Sequence, residues 1–174
     1  RQMSAADALA VMLDPMNRVE STITVLAGER MSVIKRRIVD VMDVSSADVD
    51  KAFADTAAIG LPAEAGGSAE GWLHRGEYKV EEGDTPTAVI ARMVKATIDE
   101  LDALGVPAAD RETVLIKASI VEGEMGNNPK YMPKVARVIE NRLVDDKDTH
   151  GVLGMDSTTL YGAGKESGLP SQAD

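Results

Sequence analysis

Two glutamates separated by one glycine, Glu122-Gly123-Glu124, stand at the end of an apolar run and just before the breaker Gly126-Asn127-Asn128-Pro129. The run is Val114-Leu115-Ile116, continued by Ala118, Ile120 and Val121, with Asp110 in position to cap it. All-round apolar character predicts a buried helix. A carboxyl at the end of such a helix is costly to ionise, because desolvation disfavours the charged form. Its pKa is expected to rise, which suits a general acid working near neutral pH. The same pair on an exposed last turn would simply face water, and Glu-x-Glu alone does not separate the two cases. Residues two apart on a helix are about 200° apart around its axis. One of the two can therefore face a substrate while the other cannot, unless the helix ends at Gly123. A hydrolase that works with two carboxylates needs both flanking one bond, and this spacing fits that poorly. A single-acid mechanism fits better, in which one carboxyl protonates a leaving oxygen. Two further polar groups lie downstream: Asn141-Arg142-Leu143 at the end of the next helix, and Met155-Asp156-Ser157-Thr158-Thr159-Leu160-Tyr161-Gly162.

The elements that must position these residues read as follows. Ser4 to Met16 is a short Ala- and Met-rich helix ended by Asp14-Pro15. Val19 to Val25 alternates and predicts a strand. Helical spacing follows at Met31, Ile34, Ile38 and Val41. Ser45-Ser46 then caps a second helix carrying Val49, Ala52 and Phe53, which stops at Gly60-Leu61-Pro62. This strand-helix-helix unit resembles a LysM-like module, a glycan-binding unit in known families. Glu70 to Val80 predicts a short strand with a turn. Its Trp72 reads as a core anchor before a sugar platform, and its His74 as a turn residue with no metal role. Thr85-Pro86 opens a long helix with Val89, Ile90, Met93, Val94, Ile98, Leu101 and Leu104 on one stripe. Pro133 opens another, with Val135, Val138, Ile139 and Leu143 expected inward. Asp146-x-Asp148-x-x-Gly151 has partial calcium-loop spacing but lacks the remaining ligands, and reads as a solvated turn.

Composition narrows the function classes. Of 174 residues 44% are hydrophobic but only 3% aromatic, so the core is aliphatic. Nineteen basic against 29 acidic residues give a net charge of −10, which disfavours nucleic acid as a partner. The absence of cysteine excludes disulfides and thiolate metal sites, and no metal or other cofactor is expected. No transmembrane run is present in the sequence. The expected fold class is α+β: a small LysM-like module with its leading helix at 1–62, then a mainly helical catalytic domain with short strands at 63–174. Both ends of the chain read as cuts, with the second domain truncated at its C-terminus.

Ser119-Ile120-Val121-Glu122-x-Glu124, Lys134-Val135-Ala136-x-Val138-x-x-Asn141-Arg142-Leu143 and Leu153-x-x-Asp156-x-Thr158-x-x-Tyr161-Gly162 together resemble the MltG (YceG-like) family of endolytic murein transglycosylases. Glu70-Gly71-Trp72-Leu73, Glu77-Tyr78 and Leu169 to Asp174 extend the likeness. Two positions depart from the family's pattern: Gly154 stands where a polar residue, often Gln, is usual, and Ser157 where Pro is usual. The resemblance implies a membrane-anchored enzyme on the outer face of the cytoplasmic membrane, its anchor outside this chain. It implies internal cleavage of peptidoglycan glycan strands at the MurNAc-β-1,4-GlcNAc bond, leaving 1,6-anhydro-muramyl ends. Peptidoglycan synthases are candidate partners. The family's catalytic glutamate, acid then base, falls on Glu124. Glu122, Asn141, Asp156, Thr158 and Tyr161 are then candidates for binding substrate. Asp156 reads equally as a turn acceptor. Arg142 is expected to pair with Glu122 or with a peptide-stem acid, the internal pair preferred. The competing class is a non-catalytic glycan-binding or scaffolding domain of the wall-synthesis machinery.

Overall fold

The computed structural model describes residues 3–14, 21–126, 128–145 and 147–165. Its elements are α1 (Ala5–Leu13), β1 (Ser21–Val25), α2 (Met31–Met42), α3 (Ser46–Ala54), β2 (Gly76–Val80), α4 (Pro86–Ala103), α5 (Arg111–Glu124), α6 (Met132–Val144) and α7 (Asp156–Gly162). The fold is α+β, mostly helical, with one two-stranded sheet. No helix among the described residues is long and apolar enough to cross a membrane.

The alternation expected from Val19 to Val25 is realised over Ser21–Val25, with Ile23 and Val25 buried; Val19 lies outside the described residues. β1 pairs antiparallel with β2, Ile23 opposite Tyr78. Apolar side chains on alternate strand positions and on the helical stripes then meet in one core. It joins Ile23 and Val25 to Ile34 and Ile38 of α2, Val49, Ala52 and Phe53 of α3, and Val89, Ile90, Met93 and Val94 of α4. The caps are those the sequence announces. Ser45 Oγ accepts from Asp48 N–H and Thr85 Oγ1 from Ala88 N–H, with Pro86 in the first turn.

A module ending at residue 62 would leave β1 without its partner strand and the core without α4. Glu70 also reaches back, its Oε2 accepting from the first amide of α2, Met31 N–H, at 3.1 Å. The strand-helix-helix unit is therefore completed by β2, and its core continues into α4.

A second, smaller cluster carries the fold toward the acidic pair. Trp72 is fully buried with Ala65 and Leu101, against Val114 and Leu115 of α5. Its indole Nε1–H donates to Glu112 Oε2 at 2.8 Å, and its carbonyl accepts from the buried Thr97 hydroxyl at 2.8 Å. Trp72 is thus the core anchor the sequence suggests, and it fixes the first turn of α5. From there α5 runs 14 residues, roughly 20 Å at 1.5 Å per residue, to Glu124.

Candidate functional site

α5 is not the buried helix that its composition predicts. It has no fully buried residue, Ile116 is 52% exposed, and Asp110 makes no side-chain cap. One face packs on α6 and α7, Val114 and Leu115 meet the Trp72 cluster, and the rest of the helix is exposed or half-buried. Glu124 is half-buried at the end of this helix. What distinguishes it is position. Its Oε1 accepts a hydrogen bond at 3.1 Å from the backbone N–H of Ser157, in the first turn of α7. Helix N-termini offer amides without intrahelical partners, and a carboxylate satisfies one of them.

The approach of α7 depends on Gly123. A methyl group there would lie 3.0 Å from Ser157 Cβ, closer than ordinary carbon contacts. The glycine between the two glutamates is thus the residue that lets α7 bring its amide to Glu124. Ser157 Oγ is buried and has no hydrogen-bond partner among the described residues.

Glu124 borders a cleft of about 390 Å³ walled by Tyr131, Lys134, Val135, Val138, Arg142, Gly154 and Met155. Five of these seven lie on α6 or the turn before it, at helical spacing on one face. Val138 was expected in the core, but it is 40% exposed and Leu143 is 42% exposed, while Ile139 is buried. Val135 and Val138 of α6 form an apolar part of the cleft wall. The opposite wall, Gly154 and Met155, is held by Arg142, whose guanidinium donates to the Leu153 carbonyl. The expected pair of Arg142 with Glu122 is not formed among the described residues.

The loop that returns the chain to this wall is organised by Asp145. Its carboxylate accepts from the N–H groups of Lys147, Asp148 and Thr149 at 2.9, 3.1 and 3.2 Å. Those amides, Lys147 first, hold its pKa below the usual carboxylate range. Thr149 Oγ1 donates to the Arg142 carbonyl at 3.0 Å. The Asp145-x-Lys147 pattern is an Asx-turn signal. Asp146, first residue of the calcium spacing, lies outside the described residues.

The other candidate residues are dispersed. Glu122 turns away from the cleft toward the β1–α2 loop, where a Cβ on Gly28 would be 3.6 Å from its Oε2. Tyr161 is covered by the Arg30 guanidinium at 4.9 Å from the ring centroid, and Arg30 also donates to the Lys165 carbonyl at 2.5 Å. Asn141 is exposed on α6 and does not border the cleft. Asp156 is exposed in the first turn of α7, where its charge complements the helix dipole. Thr158 donates its hydroxyl to the Met155 carbonyl at 2.7 Å.

The β1–α2 loop that meets Glu122 and Tyr161 is itself clamped. Arg37 holds Glu29 with two hydrogen bonds of 2.6 Å, and the Leu26 N–H donates to Glu29 Oε2 at 2.8 Å. The Arg37 hydrogen bonds lower the Glu29 pKa against the effect of burial. The sequence contained no spacing signal for this contact between the first unit and α7.

A family model described as the YceG-like family matches residues 1–174. The chain belongs to the YceG-like family. A solved structure of a YceG-like protein from Listeria monocytogenes is 20% identical, with a TM-score of 0.72, covering 98% of this chain and 61% of that one. This chain thus spans about three fifths of that protein's length. At this identity the likeness concerns the fold. A search of curated proteins found no match. Leu169 to Asp174, part of the sequence resemblance, lies outside the described residues.

Proposed function

We propose that this YceG-like chain carries the catalytic acid of an endolytic peptidoglycan lytic transglycosylase, and that the acid is Glu124. The observation that supports this most is that, among the described residues, one carboxylate stands on the cleft wall, oriented by the Ser157 amide and sharing the cleft with Val135 and Val138 of α6. In the proposed reaction protonated Glu124 gives its proton to the glycosidic oxygen as the C1–O bond breaks. The 6-hydroxyl of the same muramyl residue attacks C1 and forms the 1,6-anhydro ring. Its proton returns to the Glu124 carboxylate, and no water is consumed. Holding that hydroxyl close to C1 supplies proximity, which lowers a barrier by roughly 7–11 kcal/mol in the best-oriented cases.

The strand-helix-helix-strand unit supports a LysM-like reading of residues 21–80, with glycan contacts of its own. The other candidate residues keep roles consistent with their positions. Asn141 and Asp156 are exposed and open to a long strand. Thr158 supports the Met155 wall, and Glu122 and Tyr161 face the β1–α2 loop and its flank. The enzyme would act at the outer face of the cytoplasmic membrane, held by an anchor outside this chain, with peptidoglycan synthases as candidate partners.

Digestion of purified peptidoglycan tests the reading. Wild-type protein should release soluble glycan fragments, and Glu124→Gln, whose amide cannot donate the proton, should keep the fold and release none. Full activity in Glu124→Gln would remove the proposed acid. If neither protein cleaves but both bind glycan, the non-catalytic binding domain replaces the enzyme.

A further inference from the structure

The stretch 129–144, which forms most of the cleft wall, carries Lys130, Lys134, Arg137 and Arg142 against Glu140 alone, a net of +3 in a chain whose net is −10. Glu140 is already paired with Lys117 at 2.7 Å, and Arg142 spends one guanidinium nitrogen on the Leu153 carbonyl. Lys134 borders the cleft beside Glu124. Its ammonium lies 5.7 Å from the Tyr131 ring centroid and has no carboxylate within ion-pair reach among the described residues. Tyr131, Val135, Val138 and Met155 offer an apolar surface next to it. Ligand clefts commonly combine such a surface with a few convergent polar groups.

We propose that Lys134, set over Tyr131, forms a subsite for a carboxylate carried on the glycan beside the scissile bond, so that this cleft selects acidic over neutral β-1,4-linked sugars. The inference rests on the glycan-cleaving reading and adds its specificity element. The apolar wall takes the CH face of the sugar ring, while the ammonium meets the acid that projects from it. The carboxylate has two chemical sources, the lactyl ether of a peptide-free muramyl residue or the free acids of a peptide stem.

Binding to the Glu124→Gln chain, which removes turnover, separates these cases by calorimetry. The probes are a peptide-free muramyl-containing tetrasaccharide, the same tetrasaccharide with its carboxyls reduced to alcohols, and a peptide-bearing tetrasaccharide. In the peptide-bearing probe the lactyl carboxyl is tied up as an amide, so only stem acids remain. An acidic probe should bind about fivefold tighter than the reduced one, the size of a single solvent-reached ion pair. The preference should shrink in 0.5 M salt, collapse toward unity in Lys134→Met, and persist in Lys134→Arg. Lys134 dependence seen with the peptide-free probe names the lactyl acid as the source. Dependence confined to the peptide-bearing probe names the stem. Binding of both acidic probes no tighter than the reduced one, or a preference unchanged in Lys134→Met, overturns the subsite and leaves the glycan reading standing. Absence of binding to every probe overturns both.

Discussion

Substituting Gly123 by alanine should reduce activity far more than stability. The new Cβ would meet Ser157 Cβ at 3.0 Å, against an optimum of roughly 3.5–4.0 Å for carbon pairs. Neither atom can rotate away, because each is bonded directly to backbone. The strain relaxes by moving α7 outward by about 0.5 Å. The Ser157 N–H to Glu124 Oε1 hydrogen bond, now 3.1 Å, would lengthen to about 3.6 Å, beyond useful range. Overpacking of this kind costs about 1–3 kcal/mol, and alanine recovers up to about 1 kcal/mol of helix propensity over glycine. The net loss of about 0–2 kcal/mol should lower Tm by at most about 8 °C for a chain of this size. Cleavage of peptidoglycan should fall by on the order of tenfold or more, since a catalytic group displaced by 1 Å loses about a hundredfold. Adding Ser157→Gly removes the clashing atom and should restore much of the lost activity, a coupling that a double-mutant cycle reads directly. A Gly123→Ala protein that is fully active, with an unchanged or raised Tm, would refute the role given to this glycine.

Further substitutions probe the framework. Ser157→Ala keeps the amide and removes a buried, unpartnered hydroxyl, so stability should hold or rise and cleavage persist. Arg30→Ala uncovers the Tyr161 ring and frees the Lys165 carbonyl, and should cost about 0.5–1 kcal/mol for the lost cation–π contact, seen in urea melts, with faster amide exchange in α7. Asp84 is held down to about 2 by hydrogen bonds from Arg92 and from the Glu81 N–H. Because the folded pKa lies below the unfolded one, its contribution is complete above about pH 4 and is lost as pH falls toward 2. Asp84→Asn should therefore lower Tm at pH 7 and flatten the Tm decline between pH 4 and 2; an identical decline in both proteins would count against the pair.

Local signals carried most of the helices. Ser45 and Thr85 cap where side-chain chemistry says they should, and the stripes at Ile34 and Ile38 and at Val89 to Val94 face the core their periodicity implies. Two inferences failed for one reason: apolar residues need not be buried by their own chain. Val138 and the apolar run of α5 read as interior, but part of that surface lines a cleft or meets solvent. The partner of β1 could not be read locally either, since β2 lies about fifty residues on, and strand pairing across such a separation leaves no periodic trace. Within the site, the acidic pair and its downstream motif were visible as residue types. Their division of labour was not, because it depends on Gly28 lying against Glu122 and on the Ser157 amide meeting Glu124. Of the wall residues, Lys134 stood in the downstream motif without a role assigned to it, and Tyr131 stood in no motif.

The most direct test of the single-acid reaction is digestion of peptidoglycan in water enriched in oxygen-18, with fragment ends read by mass. Ring closure by the muramyl 6-hydroxyl consumes no water. The account therefore predicts ends lighter than reducing ends by one water, and free of the heavy isotope, in wild type, and no fragments with Glu124→Gln. Fragments dominated by reducing ends that carry one heavy oxygen would contradict it and require a water-activating base, with Asp156 the first residue to test.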